Sequence, residues 1–383
     1  MKKKSFLILV LLVLPFMEPL SFKEISILDN IYSILKVINL FIIFVIYIFN
    51  LKRNKYKISK FMFIVVLYQI MLYISTFINK GYYYELFGQT VSVLAMIMIT
   101  EIYIYNKNVK ILLKTLSGIL FIYSIINIIS IFAFEKTSNN DIIVSFLGMD
   151  NRYIFYLLPL CVFSILYSVI KNNKLNKFSY LVIGVSVFQV FYTWSVGAMI
   201  TITILMIYTL LLDKIPKVQK VTLNIYLIII IALNVLIVFL QVQYYFEDFI
   251  VNYLHKNMEL SGRVYTWNAA IEVIKQHPII GIGGQDSITM QSIYYGTNQH
   301  AHNLFLNILV KGGAISLLIQ FFMYFIISKK LKKYKNKKVS SILTFSIFLI
   351  LFLSLTDTFD ICLVYVIYTI AYHINELDKK EES

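Results

Sequence analysis

The sequence predicts an all-α polytopic integral membrane protein, with about 12 transmembrane helices and one long extracytoplasmic loop that contains short helices. Of the 383 residues, 59% are hydrophobic and only 14% are charged, and the mean hydropathy is +0.76. A soluble domain carries about 25% charged residues, so this chain has too little charge to cover a water-facing globule. We therefore exclude a soluble enzyme and expect a single membrane domain over residues 1–383.

Twelve apolar runs, each able to reach the ~20 residues that cross a bilayer, divide the chain. The first run follows three lysines as in a signal peptide, but Pro15, Glu18 and Pro19 replace the small residues of a cleavage site, so we expect an uncleaved first span. Residues 193–197 alone separate spans seven and eight, which predicts a tight turn. The predicted spans are 5–20, 31–49, 61–78, 89–105, 111–133, 153–170, 179–193, 197–212, 221–240, 303–328, 339–355 and 361–375.

The net charge of +15 predicts an orientation in the membrane. Most of the 35 Lys and Arg residues fall on one side if every run crosses once, and positive residues in short loops mark the cytoplasm. Both termini are then cytoplasmic. No basic face with stacking aromatics is assembled, so nucleic acid is not an expected partner. The basic clusters lie at residues 2–4, 52–60, 107–114, 171–177, 214–220, 329–338 and 379–380.

A loop of 62 residues, 241–302, separates spans nine and ten and is predicted to lie outside the cell. Loops of this length inside compact proteins are usually functional or disordered. This loop contains aromatic residues, an apolar-periodic segment and four of the five histidines, which favours function. The four are His255, His277, His300 and His302.

Inside this loop Ser261–Gly262 and the residues that follow predict a helix that runs on to Gln276, with Ser261 as its candidate N-cap and His277–Pro278 as its stop. At 100° per residue, Arg263 shares a face with Trp267, Ala270 and Ile274. An arginine at a helix start can bind an anion, because its guanidinium donors add to the free N–H groups of the helix. A guanidinium that reaches lipid headgroups or pairs with an acid is the alternative interpretation.

Two further patterns stand later in the loop. Residues 281–284, Gly-Ile-Gly-Gly, follow a helix instead of a strand, so they predict a tight turn back towards the membrane and no nucleotide loop. His302 lies where the loop meets the membrane, and a neutral imidazole there suits a general base. A structural histidine is the alternative. His300 and His302 would converge on one metal ion only in an irregular loop, so no metal site is predicted.

These residues together resemble the bacterial O-antigen ligase and Wzy-type polysaccharide polymerase superfamily. The order and spacing match over about 55 residues that lie between late spans. The resemblance implies that Arg263 and His302 are catalytic and act on an undecaprenyl diphosphate-linked glycan. The matching positions are Ser261–Gly262–Arg263, Trp267, Ala270, Pro278, Gly281, Gly283, His302–Asn303, Leu306 and Gly312–Gly313.

Four further residues are predicted to bind the substrate: Arg152, His300, Asn303 and Trp267. Asn151–Arg152, at the outer start of span six, resembles a stretch that often carries a substrate-contacting residue. Residues 195–198 resemble a serine–arginine–glycine turn of the family, but valine stands where arginine is common, so no role is transferred there.

The resemblance implies a membrane glycosyltransferase that joins lipid-linked oligosaccharide repeat units into a capsule, exopolysaccharide or O-antigen. Its partners would be the lipid-linked unit, the bilayer of a bacterial cytoplasmic membrane, a flippase and a chain-length regulator. No cofactor is expected, because the donor is already activated by its lipid diphosphate. A ligase that transfers finished glycan to a terminal acceptor is the nearest alternative. A transporter of the lipid-linked unit is the alternative from another class, since Lys36 and Asn127 place polar groups inside spans.

Overall fold

The chain forms a bundle of helices in a computed structural model. The structure describes residues 2–133, 144–212, 214–215, 219–246, 252, 262–294, 296, 300–334, 337–358 and 361–377. Within these residues the helices are α1 (Lys2–Val13), α2 (Ser26–Asn54), α3 (Lys60–Ile78), α4 (Tyr84–Tyr105), α5 (Val109–Ala133), α6 (Ile154–Asn172), α7 (Lys177–Tyr192), α8 (Val196–Leu211), α9 (Leu223–Asn234), α10 (Arg263–Gln276), α11 (Ser287–Ile293), α12 (Leu304–Lys333), α13 (Lys338–Leu353) and α14 (Cys362–Tyr372).

The protein is an all-α polytopic membrane protein, as the sequence predicts. Six of the described helices are long and apolar enough to cross a membrane, namely α2 to α5, α6 with the turn before it, and α12. Six shorter apolar helices of 10–17 residues coincide with the other six predicted spans. Within the described part of the predicted outer loop, α10 and α11 are the expected short helices.

The first span differs from the continuous run that the sequence predicts over residues 5–20. Helix α1 ends at Val13, and two short 3₁₀ turns follow, Leu14–Met17 and Leu20–Glu24. Pro15 and Pro19 explain the break, because proline has no N–H to donate to the preceding helical turn. The break places Glu18 on the inner side of the bundle, where it is 5% exposed.

Basic residues collect at one end of the bundle, here called the basic end. At this end Asn106, after α4, donates to Asn50 of α2, and Lys338 of α13 donates to the carbonyl of Asn173 after α6. The opposite end, here called the site end, joins the start of α12 to the end of α13 through Leu304 N–H and Ser354 C=O. The two ends therefore differ in charge, as the predicted orientation requires.

Helix α12 contains a kink that connects the loop to the membrane part. Gly313 has φ +62° and ψ −166°, so the helix is interrupted there. Interruption leaves carbonyl groups without helical partners, and inside a membrane protein they need other donors. The N–H groups of Ile282 and Gly283 supply them, at 2.8 and 2.9 Å from the carbonyls of Val310 and Lys311.

The glycines of the 281–284 segment are required at this contact. Gly283 has φ +76°, and a Cβ there would lie 2.4 Å from the backbone of Thr76 in α3. A Cβ at Gly313 would lie 2.2 Å from the carbonyl oxygen of Ile279. The turn itself lies at residues 278–280, just before the predicted position, and the glycine segment that follows it packs into the kink of α12.

Candidate functional site

Arg152, His300 and His302, which the sequence analysis singles out, lie close together at the site end. Arg152 Nη2 lies 3.0 Å from His300 Nε2, and the rings of His300 and His302 have centroids 4.2 Å apart. Asp357, from the segment between α13 and α14, completes the cluster with Oδ1 at 3.6 Å from His302 Nδ1. Four polar side chains from three distant parts of the chain thus share one small volume.

A network around Asn127 holds the segment that carries Arg152. Asn127 Oδ1 of α5 accepts from Ser145 Oγ at 2.6 Å and from the Leu147 N–H at 2.8 Å. Ser145 Oγ also lies 2.7 Å from the buried hydroxyl of Tyr153, from which it can accept. Strands β1 (Val144–Ser145) and β2 (Gly148–Met149) pair here, and Arg152 follows directly. The guanidinium also lies 5.2 Å from the centre of the Phe155 ring, a cation–π contact.

Asn303 brings His302 and Asp357 together. Its Oδ1 caps α12 by accepting from the Leu306 N–H at 3.1 Å. Its Nδ2 donates to Asn234 Oδ1 at 2.7 Å and to the Leu355 carbonyl at 3.0 Å. These bonds connect the start of α12 to the end of α9 and to the segment that carries Asp357. Asn303 is 0% exposed, and its side chain positions the cluster through these hydrogen bonds.

His302 itself has a backbone conformation that non-glycine residues seldom adopt. Its φ is +47°, in the left-handed region, and such residues persist only where the surrounding structure fixes them. Here the residue is fixed from both sides, because Asn303 caps α12 and His302 N–H lies 3.3 Å from His300 Nδ1. The conformation directs the imidazole towards Asp357.

Helix α10 places Arg263 near the same cluster. The helix ends at Gln276 as predicted, but it begins at Arg263 with Gly262, at φ +82°, in the N-cap position, and Ser261 lies outside the described residues. Trp267 is 0% exposed and belongs to an apolar cluster with Ala270 of its own helix and with Leu306 and Val310 of α12. Trp267 therefore fixes α10 on α12, while Arg263 at the helix start stays half-buried.

Electrostatics at the cluster favour an anionic ligand. Burial lowers the pKa of Arg263, the nearby Asp357 charge raises it and Arg152 lowers it, so these three groups interact. Burial opposes ionisation of Asp357, but the adjacent His302 side chain and the charges of Arg152, His302 and His300 keep its pKa well below the usual range. Burial, with the charges of His302, Arg152 and Lys311, lowers the pKa of His300 to about 3, although Asp357 opposes this shift.

Geometry alone would allow a metal ion here. One ligand atom each from His300, His302 and Asp357 lies within 4.8 Å of the other two. However, Arg152 already contacts His300 Nε2, and Arg263 is close enough to interact with Asp357. A divalent cation would meet two guanidinium groups, so the charges favour an anion and we assign no metal to this site.

A cavity of about 1200 Å³ adjoins the cluster. Arg152 and His300 line it at the site end, and Lys311 of α12 lines it further along that helix. Its other walls come from the break after α1 and from α2, α4, α6 and α14. Pockets that hold drug-sized ligands measure about 300–1,000 Å³. The cavity therefore has room for a larger ligand than a diphosphate alone.

Sequence reasoning missed Asp357, Lys311 and Glu18. Asp357 stands just beyond the predicted end of span eleven, on the same predicted side as His302, and this signal could have revealed it. Lys311 and Glu18 interrupt apolar runs, and charged residues inside spans are functional-site candidates. Nothing in the order of residues indicated that these groups meet.

Comparison with known proteins identifies part of the chain. Residues 180–321 match the family model described as O-antigen ligase. These residues are similar to that family, and we call them the O-antigen ligase-like segment. Searches of curated proteins and of solved structures found no significant match.

The O-antigen ligase-like segment runs from α7 into the second half of α12. It contains His300 and His302 of the cluster and the neighbouring Arg263. Arg152 and Asp357 lie outside the matched residues, on either side of them. The site therefore combines residues of the O-antigen ligase-like segment with residues that precede and follow it.

Proposed function

We propose that the protein is a polysaccharide polymerase that joins undecaprenyl diphosphate-linked oligosaccharide repeat units on the outer face of a bacterial cytoplasmic membrane. The observation that carries the proposal is the pairing of His302 with Asp357 beside Arg152 and Arg263, next to a cavity of about 1200 Å³. A proton acceptor and two fixed cations are the groups that such a transfer needs. The similarity of residues 180–321 to the O-antigen ligase family supports this class of reaction.

In the proposed reaction, the hydroxyl of an acceptor sugar gives its proton to His302. Its oxygen forms a bond to the anomeric carbon of the donor sugar, and the bond from that carbon to the phosphate oxygen breaks. Undecaprenyl diphosphate leaves with the bonding electrons, and Arg152 and Arg263 stabilise its charge. Asp357 faces His302 Nδ1, so it orients the imidazole and stabilises the imidazolium that forms.

The charge of the two ends supports the outer location. Groups of lysine and arginine residues flank α2, α3, α12 and α13 at the basic end. The cluster that contains His302 and Asp357 lies at the opposite end. If the basic end faces the cytoplasm, as the positive-inside rule predicts, the cluster faces outward. A lipid-linked unit would then keep its chain in the bilayer while its sugars reach the cluster.

Two rivals remain to be separated by experiment. A ligase would use the same donor groups and differ only in its acceptor, and the description of the matching family favours this alternative. A transporter is less well supported. The two polar residues that suggested a transporter already have partners inside the protein. Asn127 forms hydrogen bonds with Gln189, Ser145 and Leu147, and Lys36 is paired with Glu18.

The proposal is tested in cells that lack the gene and carry either wild-type protein or the His302→Ala variant. We expect the variant to accumulate single lipid-linked units on the outer face and to make no polymer, because the proton acceptor is gone. His300→Ala should be milder, since His300 contacts Arg152 and does not pair directly with Asp357.

The location and length of the glycan separate the three functions. Units that stay on the inner face would indicate a transporter, and finished polymer that stays on undecaprenyl diphosphate would indicate a ligase. Long polymer at normal protein level in the His302→Ala variant would show that His302 is not the proton acceptor.

A further inference from the structure

The cavity beside the cluster contains two buried oxygen atoms that need hydrogen-bond donors. Glu18 and Asn307 both line it, and each residue is only 5% exposed. Among the described residues, neither Glu18 Oε1 nor Asn307 Oδ1 has a hydrogen-bond partner. Buried acceptors in native proteins are almost always satisfied, so a ligand or water must supply donors here.

Glu18 is held in place as a charged acceptor. Its second oxygen, Oε2, accepts from Lys36 Nζ at 2.5 Å, and both side chains are largely buried. Its backbone carbonyl accepts from the Tyr156 hydroxyl at 2.6 Å. Because Oε2 is paired with the Lys36 ammonium, Oε1 is left as an acceptor on a residue that lines the cavity.

The two acceptor residues line the same cavity as the cations Arg152 and Lys311. Tyr156, which holds Glu18, follows Arg152 by four residues, or about 6 Å along a helix. Asn307 stands one turn after Asn303 on α12, between the cluster and Lys311. A group bound to Arg152 and Lys311 would therefore place its neighbour within reach of both acceptors.

The chemical group next to the bound anion must carry hydrogen-bond donors. A diphosphate that binds Arg152 presents only acceptor oxygens at neutral pH, and a polyprenyl chain presents no polar group. Neither can satisfy Glu18 Oε1 or Asn307 Oδ1. A sugar ring attached to the diphosphate carries several hydroxyl donors, and hydrogen bonds to a carboxylate are the stronger kind.

We propose that Glu18 and Asn307 form a subsite for the sugar ring that is attached directly to the lipid diphosphate, with its hydroxyl groups donating to Glu18 Oε1 and Asn307 Oδ1. Lys36 is a positioning residue that holds the Glu18 carboxylate. This proposal rests on the proposed function, because it takes the lipid-linked sugar as the ligand. Of the two residues, Asn307 lies inside the O-antigen ligase-like segment and Glu18 lies outside it.

The test compares two lipids that differ only in the sugar. One probe is the lipid-linked unit extracted from cells that lack the gene, and the other is undecaprenyl diphosphate. Both are titrated against the purified full chain in detergent. The variants are Asn307→Leu and the double variant Glu18→Leu with Lys36→Met, because removing both charges leaves no unpaired buried ion. Gln320→Leu is the matched control, since Gln320 is a buried amide of α12 that does not line the cavity.

We expect both test variants to bind the sugar-bearing lipid at least tenfold more weakly, while their affinity for undecaprenyl diphosphate stays within twofold of wild type. The control should match wild type with both lipids. Equal weakening for the two lipids, or no weakening for either, would overturn the subsite.

The subsite and the proposed function can fail separately. If wild-type protein makes polymer but the test variants bind both lipids normally, the subsite is wrong and the function stands. If wild-type protein makes no polymer while the variants selectively lose the sugar-bearing lipid, the function is wrong and the subsite stands.

Discussion

Replacing Asp357 by asparagine tests whether the carboxylate supports His302 during proton transfer. Asparagine keeps the size and the hydrogen-bonding capacity of the side chain but removes its charge. Two unit charges about 4 Å apart interact by about 4 kcal/mol at an effective dielectric constant of about 20, and the observed separation is 3.6 Å. Desolvation offsets part of this energy, and a hydrogen bond to a charged group is worth about 1.5–3 kcal/mol net. Turnover should therefore fall by about 10- to 100-fold.

The assay is polymerisation of lipid-linked repeat units by purified protein, with product length resolved on a gel. The pKa of Asp357 lies well below its usual range, so the carboxylate stays ionised between pH 5 and pH 9 in the wild type. Without that charge the imidazolium is less stable, and the acidic limb of the pH–rate profile should move to lower pH. Asp286→Asn is the matched control, because Asp286 is an exposed acid that caps α11 in the same loop.

Two results would refute this reasoning. One is near-wild-type turnover by Asp357→Asn at normal folding. The other is a loss of turnover with no movement of the acidic limb, since a merely structural carboxylate would lower the amount of active protein without changing its pH dependence.

Three further predictions concern Arg263, His300 and the orientation of the loop. Arg263→Lys should lower polymerisation about 10- to 100-fold, because lysine keeps the charge but loses the bidentate donors, and near-wild-type turnover would remove Arg263 from the site. The pKa of His300 is lowered to about 3, so the folded state keeps it neutral while the unfolded chain takes up a proton below about pH 6.5. Stability in thermal denaturation should therefore fall as the pH drops from about 6.5 towards 3, by at most about 1.4 kcal/mol per pH unit, and His300→Asn should reduce this slope. Cysteine at Ile288, which is 78% exposed, should react with an impermeant maleimide in intact cells, whereas cysteine at Lys174 on the basic end should react only after lysis.

Four of the six predicted site residues form or adjoin the cluster, and two have different surroundings from those expected. Arg152, His300, His302 and Arg263 lie near Asp357 as described. Trp267 and Asn303 are fully buried, in an apolar cluster and in a hydrogen-bond network. Residue type and spacing indicated that Trp267 and Asn303 belong to the site. Residue type and spacing do not indicate whether a side chain faces a ligand or a neighbouring helix. Their predicted contact with substrate stays a prediction, and in our proposal they position Arg263 and His302.

The sequence by itself determined where the membrane helices lie, because burial in a bilayer requires long apolar runs and these are visible residue by residue. It also determined α10, since helix signals are local properties, whereas the turn lies at residues 278–280 and not at the glycines themselves. Tertiary structure alone decided that Asp357 meets His302, that Arg152 meets His300, and that Glu18 and Asn307 share a cavity. Such pairs are separated by 55 to almost 300 residues, and their contact depends on which helices pack together. Apolar runs of similar composition do not specify that choice, because side-chain packing and buried hydrogen bonds such as those of Asn303 determine it.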